Sequence, residues 1–178
     1  CWSSSQSVSI STNTAPAAPP VPTVAQTCGS TTVTRDTPPT DITYYWQTSA
    51  GGTSISNSSS TYTFSEDGTV YLRAQNNSTG CWSSSYAAAI TVNDGPSMPS
   101  MPTIDQNCGS TVLTKGAAPS GITWYWQTSA SGSSTSNALA TYTVNTSNTV
   151  YLRGRDNSNN CWGSALEIVA SVIVEPSV

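Results

Sequence analysis

The chain has 178 residues, of which 8% are charged, with a formal net charge of −4 and no histidine. The missing histidine excludes Ser-His, Cys-His and His-ligated metal chemistry within the chain, and five basic residues against nine acidic ones exclude a nucleic-acid footprint. No apolar run approaches the roughly 18 residues of a membrane span, so direct membrane insertion is not expected, while 36% hydrophobic residues with six Trp and eight Tyr suffice for a core.

From its first residues the chain repeats itself. Cys-Trp occurs at Cys1-Trp2, Cys81-Trp82 and Cys161-Trp162, at an offset of 80 that also relates Cys28 to Cys108, Trp46 to Trp126 and Tyr71 to Tyr151. The run Tyr45–Ala50 returns unchanged as Tyr125–Ala130, and Thr69–Arg73 as Thr149–Arg153. Such a unit is too long for a solenoid turn and fits one small domain. Residues 1–18 are therefore read as the last strand of a preceding copy (Cys1 to about Ser11) plus a linker, 19–94 as copy one, and 95–178 as linker and copy two. The proline-rich joints, 15–22 and 96–102, are expected to be stiff spacers.

No stretch has a helical period. β-Branched and aromatic runs alternate with Gly, Asn, Ser and Pro clusters, the all-β pattern. In copy one, strands are expected near Thr23–Thr27, Thr31–Arg35 and Ile42–Thr48. The last of these places Ile42, Tyr44 and Trp46 on one face and Thr43, Tyr45 and Gln47 on the other. After the Gly51-Gly52 turn a weak strand is expected near Thr53–Ile55, then strands at Thr61–Phe64, Thr69–Gln75 and Trp82–Val92. About seven short strands per copy suggest a two-sheet Greek-key sandwich. Val33, Ile42, Tyr44, Trp46, Tyr62, Val70, Leu72 and Ala74 should face inward in copy one. Leu113, Ile122, Trp124, Trp126, Tyr142, Val150, Leu152 and Gly154 should do so in copy two.

The glycine turn, the central Trp46 and the Gly68-Thr69-x-Tyr71-x-x-Ala74 run resemble an immunoglobulin-like domain. The longer unit, from Pro19-Pro20-Val21-Pro22-Thr23 through Cys28-Gly29 and Tyr44-Tyr45-Trp46 to Gly80-Cys81-Trp82-Ser83, resembles the Ig-like repeats of very large surface proteins in gliding and related Bacteroidota. The resemblance implies tandem Ig-like sandwiches on the cell surface, often exported by the type IX system and including gliding-type adhesins. Similar repeats also occur beside polymorphic-toxin modules. It further implies a stalk or filament that presents an adhesive region, with neighbouring repeats of the same chain as the first partners.

Five cysteines without histidine or a Cys-x-x-Cys pair argue against zinc and, outside the cell, for disulfides. Pairing within copies would join Cys28 to Cys81 and Cys108 to Cys161. Opposite ends of a sandwich lie roughly 20 Å apart, far beyond the roughly 4.4–6.8 Å a disulfide tolerates between Cα atoms. The alternative joins Cys28 to Cys161, leaving Cys81, Cys108 and Cys1 for neighbours. Both pairings, and free thiols, stay open on the sequence.

Tyr45, Gln47, Tyr71 and Arg73, repeated as Tyr125, Gln127, Tyr151 and Arg153, alternate outward on adjacent strands. They form either a glycan- or partner-binding stripe, for surface polysaccharide or other cell-surface proteins, or a cross-strand packing ladder. Trp82 and Trp162 are either exposed anchors or covers for a joint or sheet edge. The acidic residues are scattered and unrepeated; Asp94 and Asp105 are at most part of a weak calcium site. No cofactor and no catalytic residue is expected, and the chain reads as a non-catalytic surface module.

Overall fold

A computed structural model describes residues 1–174. Among the described residues every regular element is a strand, and the chain divides into two compact units. The first comprises Cys1–Gln26 and Ser30–Val92; the second comprises Thr27–Gly29 and the chain from Asn93 onward.

In the first unit, β1 (Thr23–Thr27), β2 (Ser30–Thr34) and β4 (Thr61–Phe64) form one sheet in the order β1-β2-β4. The other sheet takes β3 (Ile42–Gln47), β5 (Gly68–Asn76) and β6 (Tyr86–Ile90) in the order β3-β5-β6. Strands β2 and β4, β3 and β5, and β5 and β6 pair antiparallel. The chain changes sheet from β2 to β3, from β3 to β4 and from β4 to β5, while β1–β2 and β5–β6 stay within one sheet, which makes the unit an Ig-like Greek-key sandwich.

The period of two selects the core. Tyr44 and Trp46 of β3 face the same interior as Val70, Leu72 and Ala74 of β5, Val33 of β2, and Ala88 and Ile90 of β6. Burying each large side chain contributes roughly 1.5–3 kcal/mol. The indole nitrogen of Trp46 donates to Ser59 O at 3.1 Å, so its one polar atom is satisfied. Edge strand β1 is exposed at all five positions. Beyond its place in the sheet it is tied by the Gln26 amide, which donates to Thr91 O at 3.0 Å, and Val24 remains half-exposed at 49%.

The second unit repeats this order 80 residues on. Strands β7 (Thr103–Asn107), β8 (Ser110–Thr114) and β10 (Thr141–Val144) form one sheet; β9 (Ile122–Gln127), β11 (Asn148–Asp156) and β12 (Trp162–Ala170) form the other. Its core holds Leu113, Trp124, Trp126, Val144, Val150, Leu152, Ile168 and Ala170. Ile42, Tyr62, Ile122 and Tyr142, expected inside, are only partly buried and pack against the two cores from their margins.

Three sequence expectations need correcting. Residues 1–22 contain no strand, and Trp2, Val8 and Ile10 are exposed at 102%, 82% and 88%. A strand exists only against a partner, and no described strand pairs with this segment. The weak strand near Thr53–Ile55 is a loop; its polar backbone bonds to the Gln47 side chain rather than to a ladder. The last strand of copy one runs only from Tyr86 to Ile90, with Trp82 making an isolated bridge to Gln75. There Ser83 Oγ accepts from Ala74 N at 2.9 Å, a side-chain bond that competes with the ladder. Copy two has Gly163 at this place and its strand is continuous from Trp162.

Candidate functional site

On the face of β3 and β5 turned away from the core, Tyr45 and Arg73 are cross-strand partners. Trp82 folds back over them, its ring centroid 5.5 Å from Tyr45 and 5.4 Å from the Arg73 guanidinium carbon. The guanidinium is spent on backbone. Its Nε and Nη2 donate to Ser83 O at 2.9 and 2.6 Å, and Nη1 donates to Gly52 O at 2.7 Å. One planar cation thereby ties the loop after β3 and the segment after Trp82 to the sheet, a geometry suited to arginine's fixed fork.

The second unit rebuilds the arrangement. Tyr125 and Trp162 lie 5.4 Å apart, and the Arg153 guanidinium carbon is 5.4 Å from the Trp162 ring. Arg153 Nε and Nη2 donate to Gly163 O at 2.9 and 2.7 Å, and Nη1 donates to Gly132 O at 2.7 Å. Trp82 and Trp162 thus cover the outer sheet face of their own sandwiches and are partly buried there.

Gln47 and Gln127, expected on the outer stripe, are buried. The Gln47 amide donates to Ser54 O at 2.7 Å and accepts from Ser54 N at 3.0 Å; Gln127 does the same to Ser134 at 2.6 and 3.0 Å. A buried primary amide copies a strand's hydrogen-bond pattern here and closes the loop as a ladder would. Close approach demands glycine beside it: a Cβ on Gly52 would lie 2.7 Å from Gln47 Oε1. Tyr71 and Tyr151 stay half-buried on the same strands. A cavity of about 320 Å³ lies at the β4–β5 turn (Thr63–Thr69), and one of about 240 Å³ is lined by Gln127 and Ser134 themselves together with Trp126 and Tyr142.

Cys28 and Cys161 form a disulfide across a sequence separation of 133, with Cα atoms 5.5 Å apart. Cys28 sits at the β1–β2 turn, where it bridges to Asn93 and Gly29 N donates to Asn93 O at 2.8 Å. Asn93 follows the end of β6 that pairs with Gly68, the start of β5. Cys81 lies beyond Asn76, the other end of β5. Nine residues at roughly 3.3 Å each separate those ends, which is why Cys28 and Cys81 do not pair. Cys1, Cys81 and Cys108 are free thiols; Cys1 and Cys108 are exposed and Cys81 is half-buried.

Around Cys161 the backbone is tight. A Cβ on Gly95 would lie 2.3 Å from Trp162 O, and one on Gly163 would lie 2.0 Å from Pro96 O. The turn before Cys161 is held by Asp156, whose carboxylate accepts from Ser158 Oγ, Ser158 N and Asn159 N. These bonds, led by the Ser158 hydroxyl, hold the exposed carboxyl below its ordinary pKa. Asp94 and Asp105 form no metal cluster, and no group of three or more metal-ligating side chains occurs among the described residues. Sequence reasoning missed the loop clamp, although its signal is present: Gln47, Gly52 and Ser54 recur together as Gln127, Gly132 and Ser134.

No family model matches the chain, and no curated protein matches it. Among solved structures it is similar to the FN1–FN3 domains of chicken CNTN1, at 10% identity and TM-score 0.38, over 86% of this chain and 67% of that one. It is also similar to the chicken interferon gamma receptor alpha chain, at 11% identity and TM-score 0.34, over 86% of this chain and 98% of that one. The fold assignment rests on the strand order and cores described above.

Proposed function

We propose that the chain is a non-catalytic structural segment of an extracellular, cell-surface adhesin, in which tandem Ig-like repeats form a stalk that presents an adhesive region. The observation that supports this most is the Cys28–Cys161 disulfide, which links a cysteine of the first sequence repeat to one of the second. Such bonds persist in oxidising surroundings, and one that spans successive repeats resists their separation under load. The aromatic stripe is accounted for by the same reading. The guanidinium groups of Arg73 and Arg153 are occupied by backbone carbonyls, so the Tyr/Trp/Arg stack serves the sandwich before it serves a ligand. The finer assignment, a gliding-type adhesin of the type IX system, rests on the sequence resemblance.

Non-reducing peptide mapping of the secreted protein tests the reading. A cross-linked peptide containing Cys28 and Cys161 is expected; one containing Cys28 and Cys81 would sink it. A glycan array on the intact chain separates the binding-module alternative, which requires retained glycan that is released in a Tyr71→Ala plus Tyr151→Ala variant.

A further inference from the structure

The two cysteines of the disulfide each have a counterpart at the 80-residue offset that is unbonded, and each counterpart sits in a matching backbone. Cys108 occupies a hairpin tip built like that of Cys28. Gly29 and Gly109 follow with φ of 78° and 82°, and both tips are pinned to the end of their own repeat, Gly29 N to Asn93 O and Gly109 N to Ile173 O, at 2.8 Å each. Cys81 occupies a turn built like that of Cys161. Asn76 N donates to Cys81 O at 3.0 Å where Asp156 N donates to Cys161 O at 2.9 Å, and the preceding residues Gly80 and Asn160 are both left-handed, at 73° and 65°. The difference is occupancy. Cys161 is 1% exposed beneath its partner, whereas Cys81 is half-buried and unpaired, and Cys108 is exposed.

We propose that the Cys108 tip of one molecule docks on the Cys81 turn of a second copy and forms a disulfide with it, repeating between chains the Cys28–Cys161 bond found within one. The inference rests on the structural reading above and names its partner: an identical repeat, joined head to tail. Tip and turn are different surfaces on different repeats, so a head-to-tail contact leaves a free tip and a free turn for further copies, and a filament is the expected product. The chemistry needs a small-molecule disulfide such as oxidised glutathione. The Cys108 thiolate attacks it, forming a mixed disulfide and releasing one reduced glutathione. The Cys81 thiolate of the second molecule then attacks the Cys108 sulfur and releases the other, the two thiol protons passing through solvent to the departing thiolates.

The test uses the full chain with Cys1→Ser, incubated in glutathione redox buffer and read by non-reducing electrophoresis and peptide mapping. A ladder of oligomers whose only new cross-link is Cys81–Cys108 is expected. Adding Cys81→Ser or Cys108→Ser should leave monomer, and an equimolar mixture of those two variants should stop at dimer. Cys108–Cys108 or Cys81–Cys81 peptides as the main products, a Cys81–Cys108 link within a monomer, or persistent monomer would overturn the proposal. The Cys28–Cys161 peptide in the same digest reports separately on the underlying reading: its presence without the ladder sinks the filament alone.

Discussion

Replacing Arg73 by Met decides whether the outer aromatic face is scaffold or ligand site. The substitution keeps most of the apolar stem and removes the guanidinium. Two carbonyls, Ser83 O and Gly52 O, lose their donors. The side chain is half-buried, so water reaches part of the gap and each lost bond costs about 1 kcal/mol rather than the full penalty of a buried group. Loss of the cation over Trp82 adds roughly 0.5–1 kcal/mol. The total is about 2–3 kcal/mol, or a fall in melting temperature of the order of 10 °C for a domain of this size. Urea unfolding followed by tryptophan fluorescence measures it, and a double-mutant cycle with Trp82→Ala isolates the ring–cation coupling. Arg153→Met should repeat the effect on the second unit. A variant within about 0.5 kcal/mol of the parent that loses glycan binding would refute the reasoning and make Arg73 a ligand-contacting residue.

Gly52→Ala is expected to open the Gln47–Ser54 clamp, because the new methyl would sit 2.7 Å from Gln47 Oε1; a loss of about 1–3 kcal/mol in urea melts, largely absent in a Gln47→Ala background, checks it. Gly163→Ser inserts the residue that copy one carries at this place, yet its Cβ would meet Pro96 O at 2.0 Å; about 2 kcal/mol or more should be lost, and a thermal melt unchanged from the parent would contradict the packing. Asp156, its pKa depressed by the Ser158 bonds, contributes stability that is present above its unfolded pKa and disappears as pH falls through the lower folded value; Asp156→Asn, the copy-one residue type, should flatten that acid-side slope in pH-dependent melts. Gly154→Ala, copying Ala74, brings a methyl to 3.1 Å from Pro96 Cγ and 3.4 Å from Trp124 Cδ1; a cost of about 1–3 kcal/mol is expected, partly recovered by adding Trp124→Tyr.

The sandwich was legible because its strands obey the two-residue period: Tyr44 and Trp46, and Val70, Leu72 and Ala74, are buried as their alternation requires. The contribution of the last strand was less visible. Ala87, Ala88 and Ala89 carry no contrast between faces, and only the register of Ala88 against Val70 shows which one enters the core. Gln47 was misplaced for a different reason. Its position in the strand pointed outward, but its amide finds two backbone partners in the next loop, and nothing in alternation encodes a side chain that acts as a strand. The Trp82 position depended on the same blindness to loops, since its packing partners are fixed only once the chain after Asn76 turns back. The disulfide partners were open on the sequence because distance along a sandwich limits pairing without choosing it.

Neighbouring copies this similar carry a hazard during synthesis: a strand of one can be taken up by the sheet of the other. The runs Tyr45–Ala50 and Tyr125–Ala130 are identical, so hydrogen bonding alone would accept the exchange. The cores do not. Tyr44 lies opposite Ala74, whereas the larger Trp124 lies opposite Gly154. Exchanged strands would crowd Trp124 against a methyl in one sandwich and leave Tyr44 facing a gap in the other. A one-methyl difference placed across from a one-ring difference thus acts as a proofreading code between repeats, and the refolding yield of the Gly154→Ala, Trp124→Tyr variant, in which that code is erased, should fall below the parent's.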